Sequence, residues 1–285
     1  DGGIETDLTV VCLEKNYFRI ISSAATRERD KFHINKNLPN DLKLKDITDD
    51  YCVLGVFGPN SRSLMQDLSK DDFSNENFSF ASSKYISIEN TKIWTQRLSY
   101  VGELGYELYI EVKDAKKIYN SIIEKGTKYK ISNCGMHALD IMRMESGFLH
   151  WGHDISPEEN QYQAGLNFAV SYKKNIDFIG KNALLKIKDQ KPLKQFVMLT
   201  LKNSKPGEPL LLHDEPIYLK DKIIGRTTSG NYSFNFNKNL SFGYVNSKFS
   251  NKDLTKKDIY IEVEKKKYPA SIILEPLKTR NIRII

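Results

Sequence analysis

Apolar and polar positions along the chain fall into two textures. Over 4–13 (IETDLTVVCL) and 17–22 (YFRIIS) β-favouring residues dominate, and Glu14-Lys15-Asn16 parts them, which predicts a hairpin. Strand alternation there sends Glu5, Asp7 and Thr9 to one face and Ile4, Leu8 and Val10 to the other. A helical stretch over 24–38 follows, opened by Ser22-Ser23 and stopped by Pro39. A strand over 52–57 leads through Gly58-Pro59 into a helix over 59–68. Strands are expected near 84–88, 92–99 and 106–112. Ala115, Ile118, Tyr119, Ile122 and Ile123 form one apolar stripe on a helix over 114–130, with Asp114 as its expected cap. A more apolar helix over 135–146 ends at Gly147. From Lys194 onward the period becomes that of short strands: 195–202, 209–219, 222–228, 241–246, 258–264 and 267–274. The fold class read from this is α+β, an α+β region over 1–192 followed by an all-β domain over 193–285.

Composition narrows the class. The chain has 285 residues, 40% hydrophobic and 28% charged, a globular balance with room for a substantial core. No apolar run approaches the roughly 20 residues that span a bilayer, so no membrane role is expected. Net charge is 43 − 36 = +7. The lysines are scattered and often sit beside acids, as in Lys113-Asp114 and Lys257-Asp258, Lys265-Lys266-Lys267 being the one run, and no aromatic–basic platform accompanies them. A nucleic-acid partner is therefore not expected. Cys12, Cys52 and Cys134 are odd in number and far apart, which argues against a disulfide framework and for a reducing compartment, cytoplasmic or a mitochondrial matrix.

Three stretches carry candidate chemistry. Residues 97–109 (RLSYVGELGYELY) combine two acids, two glycines and three tyrosines where a strand should turn. Tyr100 and Glu107 are placed to face one small volume, with Gly102 and Gly105 letting the backbone approach something flat, which suits a planar hydrogen-bonding ligand. In the opening segment Asp7 is an acid among apolar neighbours, a placement that calls for a partner. Residues 143–154 (RMESGFLHWGHD) place Arg143 and Glu145 at a helix end and Trp151 in a loop, where a large rigid ring can wall a pocket. His150 and His153 lack a third ligand at useful spacing beyond Asp154, so no metal is expected. Residues 225–233 (GRTTSGNYS) read as a tight turn at a cavity mouth. Dinucleotide, P-loop and nucleophile-elbow signatures are absent from the sequence.

Taken in order, GGIETDLTV (2–10), RLSYVGELGYELY (97–109), RMESGFLHWGHDI (143–155), NQYQAGLNFAV with DFIGKNALLKIK (160–188) and GRTTSGNYSFNFNKNLSFGYV (225–245) resemble the folate-binding aminomethyltransferase family. That family includes the glycine-cleavage T-protein and the C-terminal halves of dimethylglycine and sarcosine dehydrogenases. Thr6-Asp7, where the T-protein usually has two successive acids, and the Trp-Gly-His around 151–153 are closer to the dehydrogenase branch. The resemblance implies T-protein-like folate-binding α+β lobes, an all-β C-terminal barrel, and tetrahydrofolate held in a pocket between the α+β lobes. It implies Asp7 as the catalytic acid beside the folate nitrogens. Tyr100 and Glu107 would line the pterin end, Arg143 and Trp151 would shape the pocket, and Thr9 would add a weaker contact. It also implies chain upstream of Asp1, including an FAD-binding half in the dehydrogenase branch. The partners implied are a small amine donor, or a flavin or carrier partner that supplies the methylene unit.

The expected activity is transfer of a one-carbon methylene unit from an amine-derived iminium to tetrahydrofolate. A folate-dependent demethylase on the same fold and a non-catalytic folate-binding module are the alternatives. The module's relatives carry a Cys-containing K-G-C-Y-type motif that this sequence lacks.

Overall fold

The computed structural model describes residues 2–249 and 251–278. These form two compact units, 8–136 in one and 2–7 with 137–278 in the other. In the 8–136 unit, β1 (Thr9–Glu14) and β2 (Tyr17–Ile21) make the expected hairpin. They are followed by α1 (Arg27–Asn37), β3 (Tyr51–Phe57), α2 (Ser61–Leu68), β4 (Ser83–Ile88), β5 (Thr91–Gln96), β6 (Gly105–Glu111) and α3 (Ala115–Gly126). The strands pair antiparallel in the order β3-β6-β5-β4. One face of this sheet is the core: Tyr106, Leu108 and Ile110 of β6 and Ile86 and Ile93 pack with Leu64 and Met65 of α2 and Ile118 and Ile122 of α3. The period of two sends Glu107 and Tyr109 to the opposite face. Asp114 precedes α3 as expected, yet its side chain makes no capping bond.

Regular strand begins at Thr9, five residues later than the hydrophobic pattern suggests. Ile4 N donates to Glu159 O at 2.8 Å, and Trp151 Nε1 donates to Ile4 O at 2.9 Å. With its backbone groups bonded to a distant loop, Ile4 has none left for a sheet ladder. Gly3 makes the approach possible, because a Cβ there would sit 1.9 Å from Pro157 O. Asp7 therefore lies in an irregular lead-in, and the shared strand face expected for Glu5, Asp7 and Thr9 does not form.

α4 (Met136–Glu145), in the other unit from its second residue on, stops where Gly147 takes φ 70°. Asn160 opens α5 (Gln161–Ala164) with a reciprocal capping box through Gln163, and α6 (Lys181–Ile187) follows. The remaining strands are β7 (Lys194–Leu201), β8 (Pro216–Leu219), β9 (Lys222–Ser233), β10 (Lys238–Asn246), β11 (Ile259–Val263) and β12 (Lys266–Ile273). They close into a barrel in the order β10-β7-β12-β11-β8-β9, filled by side chains such as Leu199, Ile217, Val245 and Ile261. The architecture is thus α+β with a C-terminal β-barrel. Two local expectations differ. The run 209–219 contributes strand only at its end, and 225–233 is not a turn but the body of β9. Its small residues serve close strand crossing, since a Cβ on Gly225 would lie 1.9 Å from Tyr244 O.

Candidate functional site

The six expected site residues divide between the units. Thr9, Tyr100 and Glu107 belong to the 8–136 unit, and Asp7, Arg143 and Trp151 to the other.

In the 8–136 unit, Tyr100 is half-buried in the bend between β5 and β6, where Gly102 takes φ 66°. Gly105 does admit a flat group, but that group is the chain's own Phe57 ring, 2.1 Å from where a Cβ would stand. Glu107 lies beside Gln96 in the β5–β6 register. Tyr109 O–H donates to Glu107 Oε2 at 2.8 Å, and Gln96 Nε2 donates to the Tyr109 oxygen at 2.9 Å. Burial above all, then the Glu107 charge and this bond, push the Tyr109 phenol well above its ordinary pKa, so it stays a donor. Trp94 packs on Tyr109 with ring centroids 4.7 Å apart. The Arg19 guanidinium lies 4.3 Å over Trp94 and 5.4 Å from the Tyr51 ring centroid. The hairpin register pairs Val11 with Arg19 and Thr9 with Ile21, so Thr9 shares the hairpin face that Arg19 turns to the sheet. Val10, Cys12 and Phe18 are exposed on the other face. The result is a carboxylate held by a donor relay on an aromatic-lined sheet face.

In the other unit, Asp7 is exposed to solvent in part, yet desolvation by surrounding protein raises its carboxyl above the usual range. Trp151 is half-buried, with its indole N–H on Ile4 O. Arg143 is 1% exposed and engaged by protein: Nε donates to Asp140 Oδ1 at 2.9 Å, Nη1 to Phe148 O at 3.0 Å and to Asp154 Oδ2, and Nη2 to Ser229 Oγ at 2.7 Å. His150 and His153 stack at 4.4 Å. Burial first, then His153 and Arg143, lower the His150 pKa, which favours neutral imidazole. Among the described residues, no three His, Cys, Asp or Glu side chains form a metal cluster.

Sequence reasoning missed Gln96, Tyr109 and Arg19. Tyr109 was findable, because a residue two places beyond Glu107 on a strand must share its face. Gln96 and Arg19 depend on strand register, which no local pattern states.

This combination, an α+β region followed in sequence by a β-barrel, is one that known proteins share. The family model for the GCVT N-terminal domain matches residues 1–174, and that for the glycine cleavage T-protein C-terminal barrel domain matches 194–278. The chain belongs to the glycine-cleavage T-protein family. It is 34% identical over 279 residues to the mitochondrial dimethylglycine dehydrogenase of Homo sapiens, covering 97% of this chain and 32% of that protein. The aminomethyltransferase of Listeria innocua is 29% identical over 279 residues, covering 98% of this chain and 74% of that protein. Among solved structures, the glycine cleavage system aminomethyltransferase T from Bartonella henselae superposes with a TM-score of 0.82 at 20% identity, covering 97% of this chain and 73% of that one. The chain thus spans about a third of the length of the dimethylglycine dehydrogenase that it matches.

Proposed function

We propose that this chain is a tetrahydrofolate-dependent one-carbon transferase. The methylene carbon of an amine-derived iminium passes to two nitrogens of tetrahydrofolate, and the amine leaves with the two protons those nitrogens lose. The observation that carries the reading is the Gln96–Tyr109–Glu107 relay across β5 and β6. A carboxylate offers about four acceptor sites. Tyr109 takes one site of Glu107, which orients the group and leaves capacity for an amino-pyrimidine edge with adjacent N–H donors. Tyr100 and Thr9 supply hydroxyls beside a planar ligand. When bound, tetrahydrofolate supplies the acceptor nitrogens.

The chain's own contribution to the chemistry is a placed proton acceptor. Desolvation makes the Asp7 carboxylate more basic than an ordinary aspartate, which favours its taking a proton from an amine nitrogen. Its negative charge also favours a neighbouring iminium. Trp151 and Arg143 hold the elements around it. The dehydrogenase relative supports an N-methylated amino acid as the source of the iminium, oxidised by a flavin partner or an upstream FAD half. A carrier protein that delivers the methylene-amine would serve the same role.

The test is Asp7→Asn in the presence of tetrahydrofolate and sarcosine with a separate flavin amine oxidase that generates the iminium. Tetrahydrofolate affinity should be kept while formation of the methylene product falls by about 10²–10⁴-fold. In the parent, turnover should decline as pH falls, with the limb above the ordinary aspartate range because the folded pKa is raised. The variant should lack that limb. Unchanged turnover removes Asp7 from the mechanism, a methyl rather than methylene product marks a demethylase, and binding without product marks a non-catalytic module.

A further inference from the structure

Asp154 has no exposed surface, and its acceptor sites are filled by protein. Oδ2 accepts from Arg143 Nη1 and from His150 N at 3.0 Å, while Oδ1 accepts from Thr228 Oγ1 at 2.6 Å and Ser229 Oγ at 2.8 Å. Four donors satisfy the roughly four lone-pair sites of a carboxylate. Such a group has nothing left to offer a ligand, so its work is internal. The backbone is held as well, with Asp154 N on His150 O at 2.8 Å and Tyr244 O–H on Asp154 O at 2.8 Å. One residue therefore clamps the end of α4, the 150–155 loop and strands β9 and β10 together.

The clamp has a directed consequence. His150 and Asp154 are pinned as the two ends of a turn, with Gly152 at φ 91°, and Trp151 is the side chain that the turn projects. The Trp151 indole then reaches Ile4 O, and Ile4 N reaches Glu159 O. Three residues further along this pinned segment stands Asp7.

We propose that Asp154 is a positioning residue: anchored on the barrel, its carboxylate fixes the tryptophan turn, and Trp151 fixes the segment that carries Asp7. This rests on the reading of Asp7 as the reacting carboxylate. It gives Arg143 the role of holding Asp154, an internal cation rather than a ligand contact.

The chain has two tryptophans, so its NMR spectrum holds two indole N–H signals, and Trp94→Phe assigns the one from Trp151. In the whole chain, Asp154→Asn should shift the Trp151 signal and speed its solvent exchange at least about tenfold. Turnover in the assay above should fall about a hundredfold, the scale of a 1 Å misplacement. Glu145→Gln is the matched control. Glu145 is equally buried and bonds Ser233 Oγ at 2.6 Å and Asn235 Nδ2 at 2.9 Å, but it does not touch the turn. That variant should lose thermal stability while the Trp151 signal and kcat stay at parental values. If Asp154→Asn fails to fold, Tyr244→Phe removes one bond to the turn and should give the same changes at smaller size. A parental Trp151 signal and kcat in the Asp154 or Tyr244 variant, or equal disturbance by Glu145→Gln, overturns the proposal. If the parent shows no turnover at all, the reading of Asp7 fails, and the indole signal alone still decides whether Asp154 sets the turn.

Discussion

Glu107 and Asp154 are both carboxylates in hydrogen-bonded settings, yet the two units use them in opposite ways. Glu107 is half-buried on the aromatic-lined sheet face and takes one side-chain bond, from Tyr109. Asp154 is sealed and takes four donors, one of them a guanidinium that is itself buried. Residual acceptor capacity on a rigid strand suits the binding role proposed for Glu107. Full satisfaction in the interior marks a structural one, costly to disturb because a buried charge would lose its partner. Neither residue type nor predicted element separates the two. The count of donors does.

The largest effect should come from the sealed pair. Arg143→Met leaves the Asp154 charge buried without its cation, and unfolding in urea should show a loss of about 3–5 kcal/mol. A loss near zero would mean that the Arg143–Asp154 pair adds nothing net to stability and would erase the contrast with Glu107. Smaller, and confined to the Glu107 face of the sheet, is Tyr109→Phe. It removes the donor that orients Glu107, so calorimetric titration should show tetrahydrofolate binding weakened by about 0.5–1.5 kcal/mol. Binding that survives intact would show that Glu107 needs no orientation. The smallest effect belongs to Tyr106→Phe on the opposite face of the same strand. The Tyr106 hydroxyl is buried with no hydrogen-bond partner among the described residues. Its removal should change stability by anything from nothing to a gain of about 1 kcal/mol, and should leave folate affinity untouched. Two tyrosines three positions apart would then differ by face alone.

Much of this arrangement was legible in the chain. The β6 strand, the α3 stripe and the barrel strands after Lys194 follow from apolar periodicity, because each buries one face against a local neighbour. Glu107 stood out as an acid in an aromatic strand. What failed to show depended on partners far away in sequence. The lead-in to Asp7 is irregular because Ile4 bonds to residues 147 and 155 positions away. Residues 225–233 looked like a turn because small polar residues suit turns, and here they allow β9 to pass close to β10. Gly105 was expected to face a ligand ring, and it faces Phe57 across the β3–β6 register. In each case the composition pointed to the right physical need, a close approach, and tertiary pairing decided what came close.

Glu107, the relay-held carboxylate on β6, is proposed to read the hydrogen-bonding edge of a folate. Glu107→Gln keeps the shape and replaces a charged acceptor with a neutral amide. Isothermal titration of tetrahydrofolate into parent and variant should show affinity weakened by about 1–3 kcal/mol, roughly ten- to a hundredfold in Kd. Equal affinity in the two proteins would remove Glu107 from folate recognition.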